Sequence, residues 1–365
     1  MSLDWLLRPQ LEAFAERGYD VVTMSAPDSH VETLTACGIA HHAVPSLRRS
    51  VAPGADLRAL RDLYRRFRDL KPDIVHTHNP KPGVLGRLAA RAARVPTIVN
   101  TVHGLYATPD HSVAKRSAVY GAERLAAACS SAELYQNEED MALMARLGVP
   151  ANRQVLLGNG IDLERFTPSQ RGLGRKRVRA ELGIADDELV VGIVGRLVWE
   201  KGYREVFAAA RALGDLARFV VVGPSDSAKP GAVDLASIEA AKQDGVVFVG
   251  HRADMVDLYE AFDVFVLASY REGFPRSLME ASAMGLPVVA TDIRGCRQAV
   301  KEPETGTLVP RRDAARLQSA IERLLWDPEL RRRQGEQARR HARDHFDDQR
   351  VIEITLDAYE RLRAT

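Results

Sequence analysis

The stretch Val246–Thr291, "VVFVGHRADMVDLYEAFDVFVLASYREGFPRSLMEASAMGLPVVAT", decides the fold of this chain. Three short runs rich in Val alternate with two patterns of helical spacing. The apolar runs are continuous and do not alternate with polar residues, which is typical of strands covered on both faces of a parallel sheet. The stretch therefore predicts consecutive βαβ units.

Similar runs recur along the chain, at "DVVTM", "DIVHTH", "TIVNTV", "QVLL", "LVVGIVG" and "RFVVVG" before this stretch and at "GTLVP" after it. Ten strands are too many for one ordinary twisted sheet, and 365 residues exceed the size of about 250 to 300 at which a single core stops growing. Gly, Asn, Pro and Ser interrupt the pattern from Leu156 to Arg177, which we interpret as a hinge. We predict an α/β fold of two doubly wound domains, residues 1–160 and 161–343, with a last helix in residues 344–365 packing back on the first.

The composition is that of a soluble globular enzyme, with 45% hydrophobic and 27% charged residues. A net charge of +2 points to no particular partner. Cys37, Cys129 and Cys296 are widely spaced and odd in number, so the sequence indicates neither a disulfide framework nor a cysteine metal site. No apolar run reaches the roughly 18 residues of a membrane span, and the N-terminal residues contain acids where a signal peptide is basic and then apolar. We therefore expect a cytoplasmic protein.

Two cations follow the strand "LVVGIVG", at the edge of the sheet where open parallel sheets bind ligands. Arg196 and Lys201 lie in "GRLVWEKG", which matches neither the mononucleotide P-loop nor the dinucleotide glycine pattern. At a strand-to-helix turn, this pair is suited to a diphosphate. The alternative is that both are solvated surface charges.

The segment "REGFPRSLME" follows the strand "DVFVLA" in the same way. Ser277 and Glu280 have the spacing of a capping box, in which each side chain bonds to a backbone N–H at the start of the helix. A capping box leaves Glu272 and the Gly273–Pro275 turn without a role. Gly273 allows a ligand to approach the backbone, and the N–H groups of residues 276–279 lie at the positive end of the helix. A carboxylate beside such a site is suited to the hydroxyl groups of a sugar or ribose.

These motifs, with "LGNGIDLERF" and "HTHNPKPGVLGRLAARAARVPTIVNTVHG", resemble the family 4 glycosyltransferases of GT-B fold, especially bacterial enzymes of cell-surface polysaccharide assembly. The resemblance covers nearly the whole chain. It implies two Rossmann-like domains facing a cleft, in which Arg196 and Lys201 hold the donor diphosphate. Glu280 would then hold the ribose, and Glu272 would contact hydroxyls of the transferred sugar.

The resemblance also implies further contacts on both sides of that cleft. His103, after "NTV", would face the donor sugar from the first domain, although a single histidine at a strand end is also compatible with a structural role. One of His76 and His78 is equally compatible with a place in the core. The remaining donor contacts that it implies are Gly250, His251 and Arg252 at the base, and Gly273, Phe274, Pro275, Arg276, Ser277 and Leu278 at the phosphate and sugar. On the acceptor side it implies His78, Lys81 and Gly83.

The implied chemistry is glycosyl transfer with retention of configuration, without a metal or other cofactor. Stabilising the nucleoside diphosphate that leaves is then the main task, which Arg196, Lys201 and the helix start at Ser277 would perform. The implied donor is a uridine diphosphate sugar, and the implied acceptor is a glycan or a polyprenyl-linked saccharide. Inversion would require a base such as His103. Two further alternatives are a nucleotide-sugar epimerase or hydrolase of the same fold and a non-catalytic relative that binds sugar nucleotides.

Basic residues are concentrated between Leu47 and Arg94, with 12 Lys or Arg against 4 Asp or Glu. Residues 55–70 have an amphipathic pattern in which Leu57, Leu60, Leu63, Tyr64, Phe67 and Leu70 mark one face. This pattern is typical both of a helix packed on the sheet and of a surface that docks transiently on anionic lipid. The basic run Arg171–Arg179 has no interleaved aromatic residues, so we do not expect a nucleic-acid partner.

The chain departs from the family pattern in two places. It begins inside the helix matched by Leu6–Arg17, so the first strand of the N-terminal domain is apparently missing. Gln298 stands where relatives commonly have a glutamate, so the resemblance does not imply for this chain the contact that the glutamate makes in those relatives.

Overall fold

The computed structural model describes residues 7–28, 31–48, 52–78, 80–108, 110–169, 172–225 and 231–364. The chain divides into two compact units, which are described separately. Unit 1 comprises Met1–Leu157 and Gln349–Thr365, and unit 2 comprises Gly158–Asp348.

Unit 1 consists of parallel strands separated by helices. In chain order its elements are α1 (Arg8–Glu16), β1 (Val22–Ser25), α2 (Val31–Ala36), β2 (Ala40–Ala43), α3 (Pro53–Leu70), β3 (Ile74–His78), α4 (Pro80–Ala92), β4 (Thr97–Val102), α5 (Val113–Ala127), β5 (Ala132–Tyr135), α6 (Glu138–Arg146) and β6 (Gln154–Leu156). β1 pairs with β2, and a second sheet has the order β3-β4-β5-β6. Within the described part of the chain, no ladder joins β1 to β3. The predicted initial helix is α1, and Leu6 lies outside the described residues.

Two strands of unit 1 were not predicted, β2 and β5. β5 has the sequence AELY, which lacks β-branched residues and contains a charge. Glu133 is tolerated there because it accepts hydrogen bonds from Arg87 at 2.7 Å and Asn100 at 2.7 Å. A buried charge needs such partners, and they come from elements distant in sequence.

Unit 2 is a single parallel sheet with helices on both faces, as predicted. In chain order its elements are α7 (Leu173–Leu182), β7 (Leu189–Val194), α8 (Tyr203–Leu213), β8 (Ala217–Val222), α9 (Leu235–Gln243), β9 (Val247–Gly250), α10 (Met255–Ala261), β10 (Val264–Leu267), α11 (Arg276–Ala283), β11 (Val288–Thr291), α12 (Arg294–Ala299), β12 (Gly306–Val309), α13 (Ala314–Trp326) and α14 (Pro328–His345). The strand order is β12-β11-β10-β7-β8-β9. The chain builds outward from β7 in both directions, so the switch point of this sheet lies between β7 and β10.

The chain ends in α15 (Asp348–Arg363), whose apolar face packs in unit 1. Val351, Ile352, Leu356 and Tyr359 share a core cluster with Phe14 of α1, Val99 of β4 and Leu134 of β5. Among the described residues, no helix has the length and apolar character needed to cross a membrane.

Candidate functional site

The switch point of unit 2 brings together two residues that are distant in sequence. β7 leads into a short 3-10 helix (Trp199–Lys201), and Glu272 follows β10. The Nζ atom of Lys201 lies 2.5 Å from Oε1 of Glu272, and the two side chains are 23% and 14% exposed. Lys201, predicted to bind phosphate, and Glu272, predicted to bind sugar hydroxyls, are therefore paired with each other.

Gly202 is what allows the turn after β7 to approach β10 so closely. It has φ +77°, and a Cβ atom there would lie 2.0 Å from the carbonyl oxygen of Ala268. Because no other residue fits against that carbonyl, the contact fixes Lys201 beside the loop that carries Glu272.

Arg196 lies between β7 and the 3-10 helix and is half-buried. No carboxylate of the described residues pairs with its guanidinium. In a site that already contains a neutralised Lys201–Glu272 pair, Arg196 supplies an uncompensated positive charge.

The predicted capping box at the start of α11 is wrong. The helix begins at Arg276 with Pro275 at the N-cap and no side-chain cap, so Ser277 is already its second residue. Pro275 accepts hydrogen bonds from the N–H groups of Leu278 at 3.2 Å and Met279 at 3.3 Å, which engages two of the four groups predicted to face an anion. Ser277 cannot cap the helix because it lies inside the first turn, whereas a capping residue precedes the first helical residue.

Glu280 is held by a residue that the sequence did not point to, Tyr259 of α10. The Tyr259 hydroxyl donates to Oε2 of Glu280 at 2.8 Å, and Nε of Arg276 lies 4.0 Å from Oε1. Burial raises the pKa of Glu280, while Arg276 and Tyr259 oppose that shift. The carboxylate is thus fixed in orientation and only 15% exposed.

The Gly273–Pro275 turn is fixed by neighbours from both sides. Asn159 donates from Nδ2 to the carbonyl of Phe274 at 3.0 Å, and the Phe274 ring packs on Phe346 with centroids 5.7 Å apart. A Cβ atom on Gly295 would lie 2.6 Å from the carbonyl oxygen of Gly273. Asn159 lies in the motif "GNG", which was noted in the sequence without a role for the asparagine, and Gly295 carried no sequence signal.

Of the residues predicted for a base pocket, Gly250 ends the edge strand β9, and His251 and Arg252 follow it. Gly250 has φ +68°, and its carbonyl accepts from the N–H of Gly223 at 2.8 Å. Arg252 pairs with Glu181 and, at 2.8 Å, with Asp254, and these bonds raise its pKa. Its charge is therefore already engaged within the protein. His251 is exposed beside it, and Gln298 is half-buried in α12.

In unit 1, polar side chains stand at the carboxyl ends of three adjacent strands. His78 ends β3, His103 follows β4 and Gln136 follows β5. Nδ1 of His78 lies 3.0 Å from Nε2 of His103. Burial lowers the pKa of His103 to about 4 and that of His78 well below its usual value, so both rings are neutral at physiological pH.

His76 has a structural role. Its Nδ1 lies 2.5 Å from the Tyr359 hydroxyl of α15, and its Nε2 lies 2.8 Å from Oγ1 of Thr101. Burial lowers its pKa to about 3. The sequence did not decide which of His76 and His78 has a structural role. The structure assigns that role to His76, because His76 ties α15 to the sheet and His78 does not.

The remaining predicted acceptor residues lie in the first turn of α4. Lys81 forms an ion pair with Asp56 of α3. A Cβ atom on Gly83 would lie 3.0 Å from Oδ1 of Asn100, so this glycine allows close packing on β4. Both positions are accounted for by contacts within unit 1, and their role toward an acceptor stays a prediction.

Two family descriptions match the chain. The family described as Glycosyl transferases group 1 matches residues 174–341. The Glycosyl transferase 4-like domain matches residues 6–160.

Characterised relatives resemble the chain over most of its length. The chain is 28% identical to the N,N'-diacetylbacillosaminyl-diphospho-undecaprenol alpha-1,3-N-acetylgalactosaminyltransferase of Campylobacter jejuni, and the match covers 97% of this chain and 94% of that relative. It is 31% identical to the UDP-Gal:alpha-D-GlcNAc-diphosphoundecaprenol alpha-1,3-galactosyltransferase of Escherichia coli, and the match covers 79% of this chain and 75% of that relative.

Solved structures share the fold. The sucrose-phosphate synthase of Thermosynechococcus elongatus superposes with a TM-score of 0.82 at 24% identity, over 98% of this chain and 92% of that one. HepE of Anabaena, in complex with UDP, superposes with a TM-score of 0.80 at 22% identity, over 98% of this chain and 96% of that one.

Proposed function

Because the chain belongs to the group 1 glycosyltransferases, with a glycosyltransferase 4-like N-terminal domain, we propose that it transfers a sugar from a uridine diphosphate sugar in cell-surface polysaccharide assembly. The observation that carries the proposal is the pairing of Lys201 with Glu272 at the switch point of unit 2. A cation for phosphate and a carboxylate for hydroxyl groups lie side by side there, as a nucleotide sugar requires.

Each donor group has a residue of matching chemistry. Arg196 and Lys201 neutralise the diphosphate, and Glu272 accepts hydrogen bonds from hydroxyls of the transferred sugar. Glu280, oriented by Tyr259, accepts from the ribose hydroxyls. The diphosphate competes with Glu272 for Lys201, so donor binding releases Glu272 toward the sugar.

The proposed reaction retains the anomeric configuration and proceeds without a metal. Negative charge grows on the leaving uridine diphosphate as the sugar becomes cationic. Arg196 and Lys201 are fixed where that charge develops, and preorganised charges of this kind lower the barrier without a reorganisation cost. In unit 1, His103 and His78 are proposed to contact sugar hydroxyls.

The proposed acceptor is a saccharide on a polyprenyl diphosphate, the class printed in the names of the relatives from C. jejuni and E. coli. Such an acceptor lies in a membrane, and α3 offers a matching surface. Leu57 is 68% exposed and Tyr64 37% exposed, and both belong to the apolar face that the sequence pattern predicted for this helix. Arg58, Arg61 and Arg65 are exposed on the same helix. Apolar and basic groups side by side favour transient docking on anionic lipid.

The proposal is tested by supplying uridine, guanosine and adenosine diphosphate sugars together with GlcNAc-diphosphoundecaprenol and identifying products by mass spectrometry. We expect an acceptor one sugar heavier with a uridine donor and an α linkage by NMR. Sustained release of free sugar without acceptor would identify a hydrolase, and nucleotide binding without any transfer would identify a non-catalytic relative. Preference for guanosine or adenosine donors would overturn the choice of donor.

Membrane docking has its own measurement. Sedimentation with vesicles of phosphatidylcholine, with or without phosphatidylglycerol, should recover the protein only with the anionic vesicles, and Leu57→Ser should weaken the binding. Equal recovery with neutral vesicles would contradict an electrostatic surface.

A further inference from the structure

The loop that joins β4 to α5, here called the β4–α5 loop, carries an exposed aromatic ring. The loop leaves the sheet of unit 1 after His103, at the carboxyl edge where open parallel sheets bind ligands. Tyr106 is 43% exposed, whereas its neighbours Leu105 and Ala107 are 5% and 0% exposed. The loop therefore buries its backbone on both sides of Tyr106 and leaves the ring itself at the ligand-binding edge.

Hydrogen bonds on both sides of Tyr106 hold the β4–α5 loop in place. The Leu105 N–H donates to Oδ2 of Asp140 at 2.9 Å, and Asp140 is itself buried. The Tyr120 hydroxyl donates to the carbonyl of Ala107 at 2.8 Å. Because the backbone is fixed and a tyrosine side chain has few rotatable bonds, the ring has little conformational freedom to lose when a ligand binds.

Two cations follow in the first turn of α5, and one of them lies over the ring. Nζ of Lys115 is 5.4 Å from the centroid of the Tyr106 ring. Lys115 is exposed and Arg116 is half-buried, and neither forms an ion pair with a carboxylate in the part of the chain that the structure describes. Asp110 is exposed in the same loop, so two cations stand against one carboxylate and the group remains positive.

Resting on the proposed function, we propose that Tyr106 and Lys115 form a subsite for an acceptor sugar that is bonded directly to a diphosphate. The apolar C–H face of the sugar packs on the Tyr106 ring, and the adjoining phosphate draws Lys115 away from that ring. A cation–π contact at an exposed site is weak, whereas an ammonium and a phosphate form a charge-assisted hydrogen bond, so the exchange favours binding. A sugar phosphate presents an apolar face beside an anion, and the loop presents a ring beside a cation.

The first test crosses Lys115→Gln with three acceptors on a citronellyl chain, namely GlcNAc-diphosphate, GlcNAc-monophosphate and a GlcNAc glycoside without phosphate. With UDP-galactose as the donor, the variant should lose about 5- to 10-fold in kcat/KM on the two phosphate acceptors and less than about 2-fold on the glycoside. The control is Lys242→Gln, an exposed lysine of α9 in unit 2, which should change each value less than about 2-fold. Equal losses by Lys115→Gln on all three acceptors would overturn the assignment of the phosphate to Lys115.

The second test concerns the ring. Tyr106→Ala should raise the acceptor KM about 10-fold and leave the donor KM within about 2-fold, and Tyr106→Phe, which keeps the ring, should stay within about 3-fold of the wild type in both. The control is Trp326→Ala, which removes an aromatic side chain of α13 that is 68% exposed and should leave both KM values unchanged. Merely structural damage would lower the melting temperature and affect both substrates. An unchanged acceptor KM in Tyr106→Ala would overturn the subsite.

The subsite also specifies which sugar is extended. In a disaccharide diphosphate, the outer sugar cannot pack on Tyr106 while the diphosphate reaches Lys115. GlcNAc-diphosphate should therefore be extended at least about 10-fold faster than a disaccharide diphosphate whose outer sugar is GlcNAc. Equal rates on the two acceptors would contradict the subsite.

These outcomes are separable from the fate of the proposed function. A protein that transfers galactose but responds to neither Tyr106→Ala nor Lys115→Gln keeps the proposed function and loses only this inference. If the wild type transfers no sugar from any donor, the proposed function fails, and calorimetry with GlcNAc-diphosphate then decides on the subsite. Binding that Tyr106→Ala weakens about 10-fold would retain the subsite, whereas no binding, or binding that neither variant changes, would overturn it as well.

Discussion

Replacing Glu272 by glutamine should tighten binding of UDP while nearly abolishing sugar transfer. Lys201 donates a charge-assisted hydrogen bond to Glu272 at 2.5 Å, and the side chains are 23% and 14% exposed. Such a bond contributes about 1.5 to 3 kcal/mol when desolvated, and partial exposure reduces this to about 1 to 2 kcal/mol. A diphosphate must offset that amount to capture Lys201.

Glu272→Gln removes this competition, so the dissociation constant of UDP should fall by about 5-fold, which corresponds to about 1 kcal/mol. Transfer should fall at least about 100-fold, or about 2.7 kcal/mol of transition-state stabilisation, because the carboxylate no longer binds the sugar hydroxyls. Lys201→Ala should lose transfer by a similar factor and also weaken UDP binding.

Calorimetry with UDP and initial transfer rates measure the two effects, with thermal unfolding to verify the fold. The matched control is Glu200→Gln, which breaks the neighbouring pair of Arg271 Nε with Glu200 Oε1 at 2.7 Å. It should change both quantities less than about 3-fold. UDP binding weakened by Glu272→Gln, or transfer lowered less than about 10-fold, would refute the assigned roles.

Three further predictions concern stability. Burial raises the pKa of Glu280, so ionisation of this carboxyl lowers the stability of the fold as the pH rises from 4.5 through the raised value. Glu280→Gln should therefore raise the melting temperature at pH 7.5 but not below about pH 4.5, and it should weaken UDP binding. An equal gain in melting temperature at both pH values would contradict this. Gly202→Ala should lower the free energy of unfolding in urea by more than about 3 kcal/mol, because the new Cβ would lie 2.0 Å from the Ala268 carbonyl oxygen. Gly172→Ala, where a Cβ would have no atom within 4 Å, should lower it by about 1 kcal/mol. Equal losses would show that the turn at Gly202 relaxes freely. Tyr359→Phe removes the 2.5 Å hydrogen bond to His76 and should lower the free energy of unfolding by about 1 to 2 kcal/mol. Tyr64→Phe, on the exposed face of α3, should leave it unchanged. Equal stabilities of the two variants would show that His76 does not help to hold α15.

The parallel α/β architecture was readable from the sequence because continuous Val and Ile runs of strand length, separated by helical patterns, are typical of strands buried on both faces. The strands β2 and β5 were missed for the opposite reason, since AHHA and AELY have no strand-like composition. Glu133 becomes acceptable in β5 only once Arg87 and Asn100 reach it. The capping box failed because the Ser-x-x-Glu spacing carries no information on where the helix starts.

The sequence by itself determined the family, the parallel sheets and the positions of Arg196, Lys201 and Glu272 after two strands. These follow from local patterns of apolar residues and from motifs that are contiguous in the chain. Only the tertiary structure decided that Lys201 pairs with Glu272, that Tyr259 holds Glu280, and that His78 contacts His103 while His76 bonds to Tyr359 of α15. Hydrogen bonds of this kind join elements distant in sequence, and they depend on strand order and register, which no local pattern encodes.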